Sequence, residues 1–245
     1  MGSHSSVRFP NETSSYRSAR EELLEAEMEL RRKIEDVAAL RRRLPVGGRV
    51  PEDYEFDETV ADAGGRERAR PVRLSELFAP GQDTLLIYSY MYGPAMPSPC
   101  TSCTSILDGL DGTTPHVRQR VSFAIVARSP IERVRQVARE RRWHNLRLLS
   151  SSRNSYNHDY HGETEDGHQM PMLNVFVKHD GAIHHSYGTE LLFAPTEPGQ
   201  DGRHVDMIWP LWNLFDLTPE GRGTSWYPQL TYDAEPFHGL KRSRE

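Results

Sequence analysis

Apolar residues recur with a helical period near the N-terminus and then, farther along, in short unbroken runs. Between residues 14 and 44, Leu23, Leu30, Val37 and Leu44 repeat every seven positions, and Ala26, Ile34 and Leu40 fill in at steps of three and four. This pattern predicts one long helix with a single apolar stripe. Glu27 with Arg31 and Glu29 with Lys33 stand four apart in the order that favours a helix. Pro45 and the Gly47-Gly48 pair end it. The stripe suits packing on the helix's own domain, or an arm that pairs two copies into a homodimer.

Residues 45–70 read as a loop-rich connector, with Gly64-Gly65 as a turn before the charge run Arg66 to Arg70. Val72 to Phe78 fits a short strand and a helical turn. Thr84 to Tyr90 is an apolar, β-rich run, as is Val121 to Ala127, and both predict buried strands. Between them a Pro-rich loop, Gly93 to Pro99, leads into a helix starting at about Pro99 to Thr101, with Ile106, Leu107 and Leu110 on one face. Ser129-Pro130-Ile131-Glu132 predicts the start of the next helix, with Ser as N-cap and Pro at the first position. Leu146 to Leu149 reads as a third strand, and Ser150 to Gln169 as a long polar stretch. Met172 to Val177 and Ala182 to Tyr187 flank His179-Asp180-Gly181, a hairpin signal. Residues 204–217 predict a nearly all-apolar helix broken or kinked at Pro210. Strands alternating with helices argue for an α/β fold. The expected organisation is an N-terminal helical arm and connector (1–70), a central domain (71–217) and an aromatic-rich C-terminal extension (218–245).

Composition narrows the function. The chain of 245 residues is 36% hydrophobic and 27% charged, as in globular proteins, and its net charge of −5 offers no general affinity for nucleic acid or an anionic membrane. No apolar run reaches 18 residues and the first ten residues lack an apolar core, so neither a membrane span nor a secretory leader is expected. The expected location is cytoplasmic. No dinucleotide fingerprint is visible.

The chemistry concentrates in one tetrapeptide. Both cysteines of the chain, Cys100 and Cys103, lie in Cys100-Thr101-Ser102-Cys103, just after a predicted strand and at the start of a predicted helix. That placement is a redox signature. Unpaired N–H groups and the helix dipole stabilise a thiolate at Cys100, which becomes the attacking sulfur, with Cys103 one turn later as the resolving one. The chain also has eleven histidines. His158, His161 and His168 lie in the polar stretch, and His168 precedes Pro171 by three residues. Two thiolates and an imidazole make a soft donor set, so Cys100, Cys103 and His168 form an alternative copper or zinc site, to which His161, Asp159 and Asp166 could add. His184 and His185 alternate faces of a strand and read as surface or hairpin-packing residues.

From about Arg8 to Tyr227 the chain resembles the DUF899 family of thioredoxin-like dithiol–disulfide oxidoreductases. The resemblance rests on the long N-terminal helix, the Cys-x-x-Cys, Ala127-Arg128-Ser129-Pro130, Trp143, Ser150-Ser151-Ser152, Tyr156-Asn157-His158-Asp159-Tyr160, the run Pro171 to Tyr187, and Leu217 to Gly223. It implies a thioredoxin-like fold and thiol redox activity. It also implies that Pro171 is the cis-proline facing the cysteines, exposing the backbone of Met170 to an extended substrate. Thr101-Ser102 replaces a Pro-Gly type pair of the family, and His168 stands where an acidic residue is usual. A Cys-x-x-Cys with a nearby histidine also resembles, in part, the copper-binding Sco-type branch of thioredoxin folds.

Three functions are consistent with this reading. The first is a thiol–disulfide oxidoreductase acting on a protein or small-molecule thiol or disulfide through Cys100, Cys103 and Pro171. The second is a copper or zinc protein using Cys100, Cys103 and His168. The third is a non-catalytic interaction module.

Overall fold

A computed structural model describes residues 6–61, 67–195, 207–223 and 226–232. The chain divides into two compact units, Met1–Gly47 and Gly48–Glu245. The first is dominated by helix α1, Ser14–Arg42, which starts where Thr13 Oγ1 accepts the N–H of Tyr16. Arg41 and Arg42 occupy its last turn, where the helix dipole favours cations. No residue of α1 is buried, and Leu30 and Ile34 of the apolar stripe are 61% and 62% exposed.

The second unit is built on one seven-stranded sheet. In chain order its strands are β1 (Glu55–Ala61), β2 (Glu67–Arg73), β3 (Thr84–Tyr90), β4 (Ser122–Ala127), β5 (Leu148–Ser150), β6 (Met172–His179) and β7 (Ala182–Gly188). Their spatial order is β2-β1-β5-β4-β3-β6-β7. Strands β3, β4 and β5 are parallel, and β6 runs antiparallel to β3 and continues into the β6–β7 hairpin. Parallel neighbours need crossovers. Helices α2 (Thr101–Val117) and α3 (Ile131–Arg141) supply them. Two short α-helices, α4 (Tyr156–Asp159) and α5 (Pro210–Asp216), and two 3-10 turns, Leu74–Leu77 and Glu190–Leu192, also lie among its described residues.

Burial on both sides explains why the central strands read as unbroken apolar runs. Along β3, Leu85 and Ile87 enter one core while Tyr88 and Tyr90 enter the other. Phe123, Ile125 and Ala127 of β4 join the tyrosine side, with Ile106 and Leu107 of α2 and Val134 and Ala138 of α3. The opposite core gathers Tyr54, Phe56, Leu74, Tyr156 and Phe176. The β6–β7 turn has Asp180 at φ 49° and Gly181 at φ 74°, the paired positive values that an Asp-Gly hairpin turn needs.

Some expectations are corrected. Residues 45–70 are not mainly a connector: β1 and most of β2 lie there and extend the sheet through the antiparallel β1–β5 pair. Their sequences, Glu-Phe-Asp-Glu-Thr-Val-Ala and Glu-Arg-Ala-Arg-Pro-Val-Arg, are charged; β2 forms an edge, where charges and proline discourage further pairing, and Glu58 of β1 is paired with Arg70 and Arg147. The Gly64-Gly65 turn lies outside the described residues. Pro210 starts α5 instead of kinking it, since the first helical position needs no N–H. Residues 204–206 of that predicted helix also lie outside the described ones. Helix α3 begins one residue late, at Ile131, because Ser129 Oγ donates to the carbonyl of Gly93 and does not cap.

Candidate functional site

Strand β3 ends at Tyr90, and the loop after it carries the chain back to Cys100. That loop is fastened from several sides. Ser129 N–H donates to Tyr92 O at 2.8 Å and Cys100 N–H to Met91 O at 3.0 Å. Arg133 donates to the carbonyls of Pro94 and Met96 and stacks 4.5 Å from the Tyr92 ring centre. Cys100 is thereby held at the N-cap of α2, with φ −60° and ψ 128°.

At this position its sulfur meets the free end of the helix. The N–H of Cys103 points at Cys100 Sγ from 3.5 Å. A hydrogen bond from the Cys103 thiol, together with those from the Cys103 and Ser102 backbone and the Ser102 hydroxyl, outweighs partial burial and pulls the Cys100 pKa down to about 6. Cys103 shifts the other way. It is 2% exposed, and its bond to Cys100, burial and the neighbouring charge all hold its proton. Tyr88 Oη donates to Cys103 Sγ at 3.2 Å, and burial keeps that phenol neutral. Both cysteines are free thiols. The pair thus has a half-buried, readily ionised sulfur in front and a buried, protonated one behind.

Cys100 and Cys103 open onto a cavity of about 260 Å³. Its walls are Met91, Ile106, Pro171, Trp209, Trp212, Trp226 and Tyr227, with Tyr88, Ser102, Arg222 and Gly223 completing the lining. Trp209 and Trp212 meet edge to face at 5.2 Å between ring centres, and Trp212 meets Trp226 and Tyr227 the same way. Trp209 Nε1 donates to Ser105 Oγ of α2 at 3.2 Å, which fixes this aromatic wall to the cysteine helix. Arg222 is engaged by both carboxylate oxygens of Asp216.

Sequence reasoning placed Cys100, Cys103 and Pro171 at the site, and all three line this cavity. The expected cis bond at Pro171 is absent, as no peptide bond among the described residues is cis. Met170 N–H donates to Gly162 O at 3.0 Å and Gln169 bridges Glu163, so the chain enters β6 already extended and the preferred trans form serves. His168 does not join the cysteines. Its side chain is 77% exposed, pairs with Asp166 at 2.8 Å and lines a separate hollow with Gly93 and Pro94. His158 pairs with Asp159, and His161 packs on Phe193. Among the described residues no group of three His, Cys, Asp or Glu side chains converges as a metal site would require. His185 packs on Tyr160 and Phe176 and bonds Asn174 Oδ1, as a hairpin-packing residue. Tyr88 and the aromatic wall were missed. The i, i+2 spacing of Tyr88 and Tyr90 on a strand leading to the cysteines was the available signal.

The parallel β3-β4-β5 core, the antiparallel β6–β7 hairpin and a Cys-x-x-Cys at the N-terminus of the helix after β3 define a thioredoxin-like α/β protein. Within that class the chain belongs to DUF899, described as a bacterial protein of unknown function, whose family model matches residues 6–235. No curated protein matches it. Solved structures similar to it include Mycobacterium bovis AhpC, at 16% identity over 75% of this chain and 98% of that one, with a TM-score of 0.43. Peroxidoxin BcpB from Mycobacterium tuberculosis is 16% identical over 69% and 96%, with a TM-score of 0.41. Plasmodium yoelii thioredoxin peroxidase I is 16% identical over 68% and 88%, also at 0.41. No helix among the described residues is long and apolar enough to cross a membrane.

Proposed function

We propose that the protein is a thiol–disulfide oxidoreductase in which Cys100 is the nucleophile and Cys103 the resolving thiol. The observation that carries this reading is the placement of the pair, with the half-buried Cys100 sulfur at the α2 N-cap facing the Cys103 N–H and the Cys103 thiol buried one turn behind it. The Cys100 thiolate attacks one sulfur of a substrate disulfide, forms a mixed disulfide and expels the other sulfur as a thiolate, which takes a proton. Cys103 then loses its proton and attacks Cys100, closing an intramolecular disulfide and releasing the second substrate thiol. Two electrons pass to the substrate, and a dithiol or two monothiols return them. Pro171, in the wall beside the sulfurs, shapes the approach. Oxidising the reduced protein with excess bis(2-hydroxyethyl) disulfide is expected to give a Cys100–Cys103 bond on peptide mapping. Cys103→Ser is expected to stop at a stable adduct on Cys100. Oxidation with no such bond would refute the mechanism.

We also infer that α1 pairs antiparallel with the α1 of a second copy. Within α1, after Arg17 and Arg20, residues 21–29 hold Glu21, Glu22, Glu25, Glu27 and Glu29 with no cation, whereas residues 31–42 hold Arg31, Arg32, Lys33, Arg41 and Arg42 against Glu35 and Asp36. An antiparallel partner sets opposite charges against each other and covers the Leu23, Leu30 and Val37 stripe. Sedimentation equilibrium is expected to give a dimer that Leu30→Glu with Ile34→Glu converts to a monomer. A wild-type monomer at high micromolar concentration would rule the pairing out.

A further inference from the structure

The cavity over the cysteines has a chemical character that thiol exchange alone does not require. Its volume of about 260 Å³ lies just below the roughly 300–1,000 Å³ of pockets for drug-sized ligands. Trp209 and Trp212 are almost wholly buried, at 5% and 8% exposure, whereas Trp226 and Tyr227 are 41% and 55% exposed, so the inner wall is fixed in the core and the outer wall faces solvent at the mouth. Its polar groups are already committed. Trp209 Nε1 is used by Ser105, and the guanidinium of Arg222 lies against the Asp216 carboxylate with its side chain 13% exposed. Most of what faces the sulfurs is aromatic and aliphatic surface, with the Ser102 and Tyr227 hydroxyls as neutral polar groups. A charged group brought there would lose its hydration, and the charged side chain in the lining, Arg222, is already paired with Asp216. An anionic group would also meet the Cys100 thiolate.

A polypeptide strand fits poorly. Strand addition needs unpaired backbone groups at the docking edge. The N–H of Met170, next to Pro171, is already donated to Gly162 O at 3.0 Å.

We infer that the cavity selects a small, uncharged disulfide with an aromatic or aliphatic substituent, seated among Trp209, Trp212, Trp226 and Tyr227 with its sulfur against Cys100. This rests on the thiol-exchange reading above. The reaction is the same balanced exchange: one S–S bond of the small disulfide is reduced to two thiols, and the Cys100 and Cys103 thiols are oxidised to one disulfide.

The test has two arms. In the first, the full reduced chain is mixed with 4,4′-dipyridyl disulfide, 5,5′-dithiobis(2-nitrobenzoate), oxidised glutathione and a disulfide-linked peptide. Each rate is divided by that of a free thiol of similar pKa. The neutral aromatic disulfide is expected to be favoured by about tenfold or more over the charged ones and the peptide. Trp226→Ala is expected to lower that preference severalfold, while Trp226→Phe retains most of it. Equal or inverted normalised rates would overturn the inference while leaving Cys100–Cys103 disulfide formation, and so the exchange reading, intact. In the second arm, diphenyl sulfide, which cannot exchange, is titrated into the Cys100→Ser, Cys103→Ser double variant and followed by tryptophan fluorescence. Saturable binding is expected. Its absence would overturn the inference whatever the redox chemistry does.

Discussion

Cys100 and Cys103 are one helical turn apart and titrate in opposite directions because one is at the mouth of the helix and the other inside it. The Cys100 value of about 6 arises from donors converging on one sulfur, namely the Cys103 thiol, the Cys103 and Ser102 backbone and the Ser102 hydroxyl. Since the folded value is lowered, thiolate reactivity is present above it and disappears as pH falls through about 6. Iodoacetamide alkylation of Cys100 in Cys103→Ala should therefore still titrate below the free-thiol value of about 8.5, through the backbone donors of the helix end and the Ser102 hydroxyl. Its midpoint is expected to lie above the wild-type 6, because that variant lacks the Cys103 thiol donor. With both cysteines present, Ser102→Ala is expected to move the midpoint upward. A midpoint at the free-thiol value in the wild type would mean that the helix end does not stabilise the thiolate. The Cys-x-x-Cys spacing made this site legible. The Tyr88 donor and the committed Met170 N–H were not, because both depend on contacts between distant segments.

At the level of elements, the β1–β2 pair joins the rest of the sheet through two residue pairs between β1 and β5, Asp57 with Ser150 and Glu58 with Leu149, and a buried carboxylate reinforces the junction. Glu58 of β1 is 6% exposed and is held by Arg70 of β2 and by Arg147, just before β5. Burial raises its pKa, but the hydrogen bonds and charges of Arg147 and Arg70 outweigh that and lower it. A carboxylate with a lowered folded pKa contributes stability above its unfolded value of 4.5, and loses it as pH falls through the folded value. Glu58→Gln is expected to cost on the order of 2 kcal/mol at pH 7 by urea unfolding. The difference between wild type and variant should shrink steadily in acid. A pH-independent difference would place the effect in packing. The charged composition that hid β1 and β2 in the sequence is the same feature that now links them.

For the whole molecule, the C-terminal aromatic residues join the cysteine helix across a long sequence interval. Trp209 bonds Ser105, and Arg141 of α3 donates to Leu230 O. The tryptophans therefore share a cavity with a sulfur that ionises near pH 6, and thiolates quench indole emission. The intrinsic fluorescence of the reduced protein is expected to fall as pH rises through about 6. Cys100→Ser, or oxidation to the disulfide, should abolish that transition. A transition that persists in Cys100→Ser would assign it to another group.

What the amino-acid order determined by itself was local. The two-faced burial of β3 and β4, the Asp180-Gly181 turn, the α1 stripe and the position of Cys100 at a helix start all follow from neighbours within a few residues. Backbone propensity and hydrophobic period act over that range. The tertiary structure decided which distant groups share a site. It seated Pro171, Trp212 and Tyr227 around the sulfurs, and left His168 on the surface beside Asp166. It also brought β1 and β2 into the sheet against their weak strand pattern. These outcomes depend on long-range packing and on pairing of buried polar groups, whose energies exist only once the chain has closed on itself.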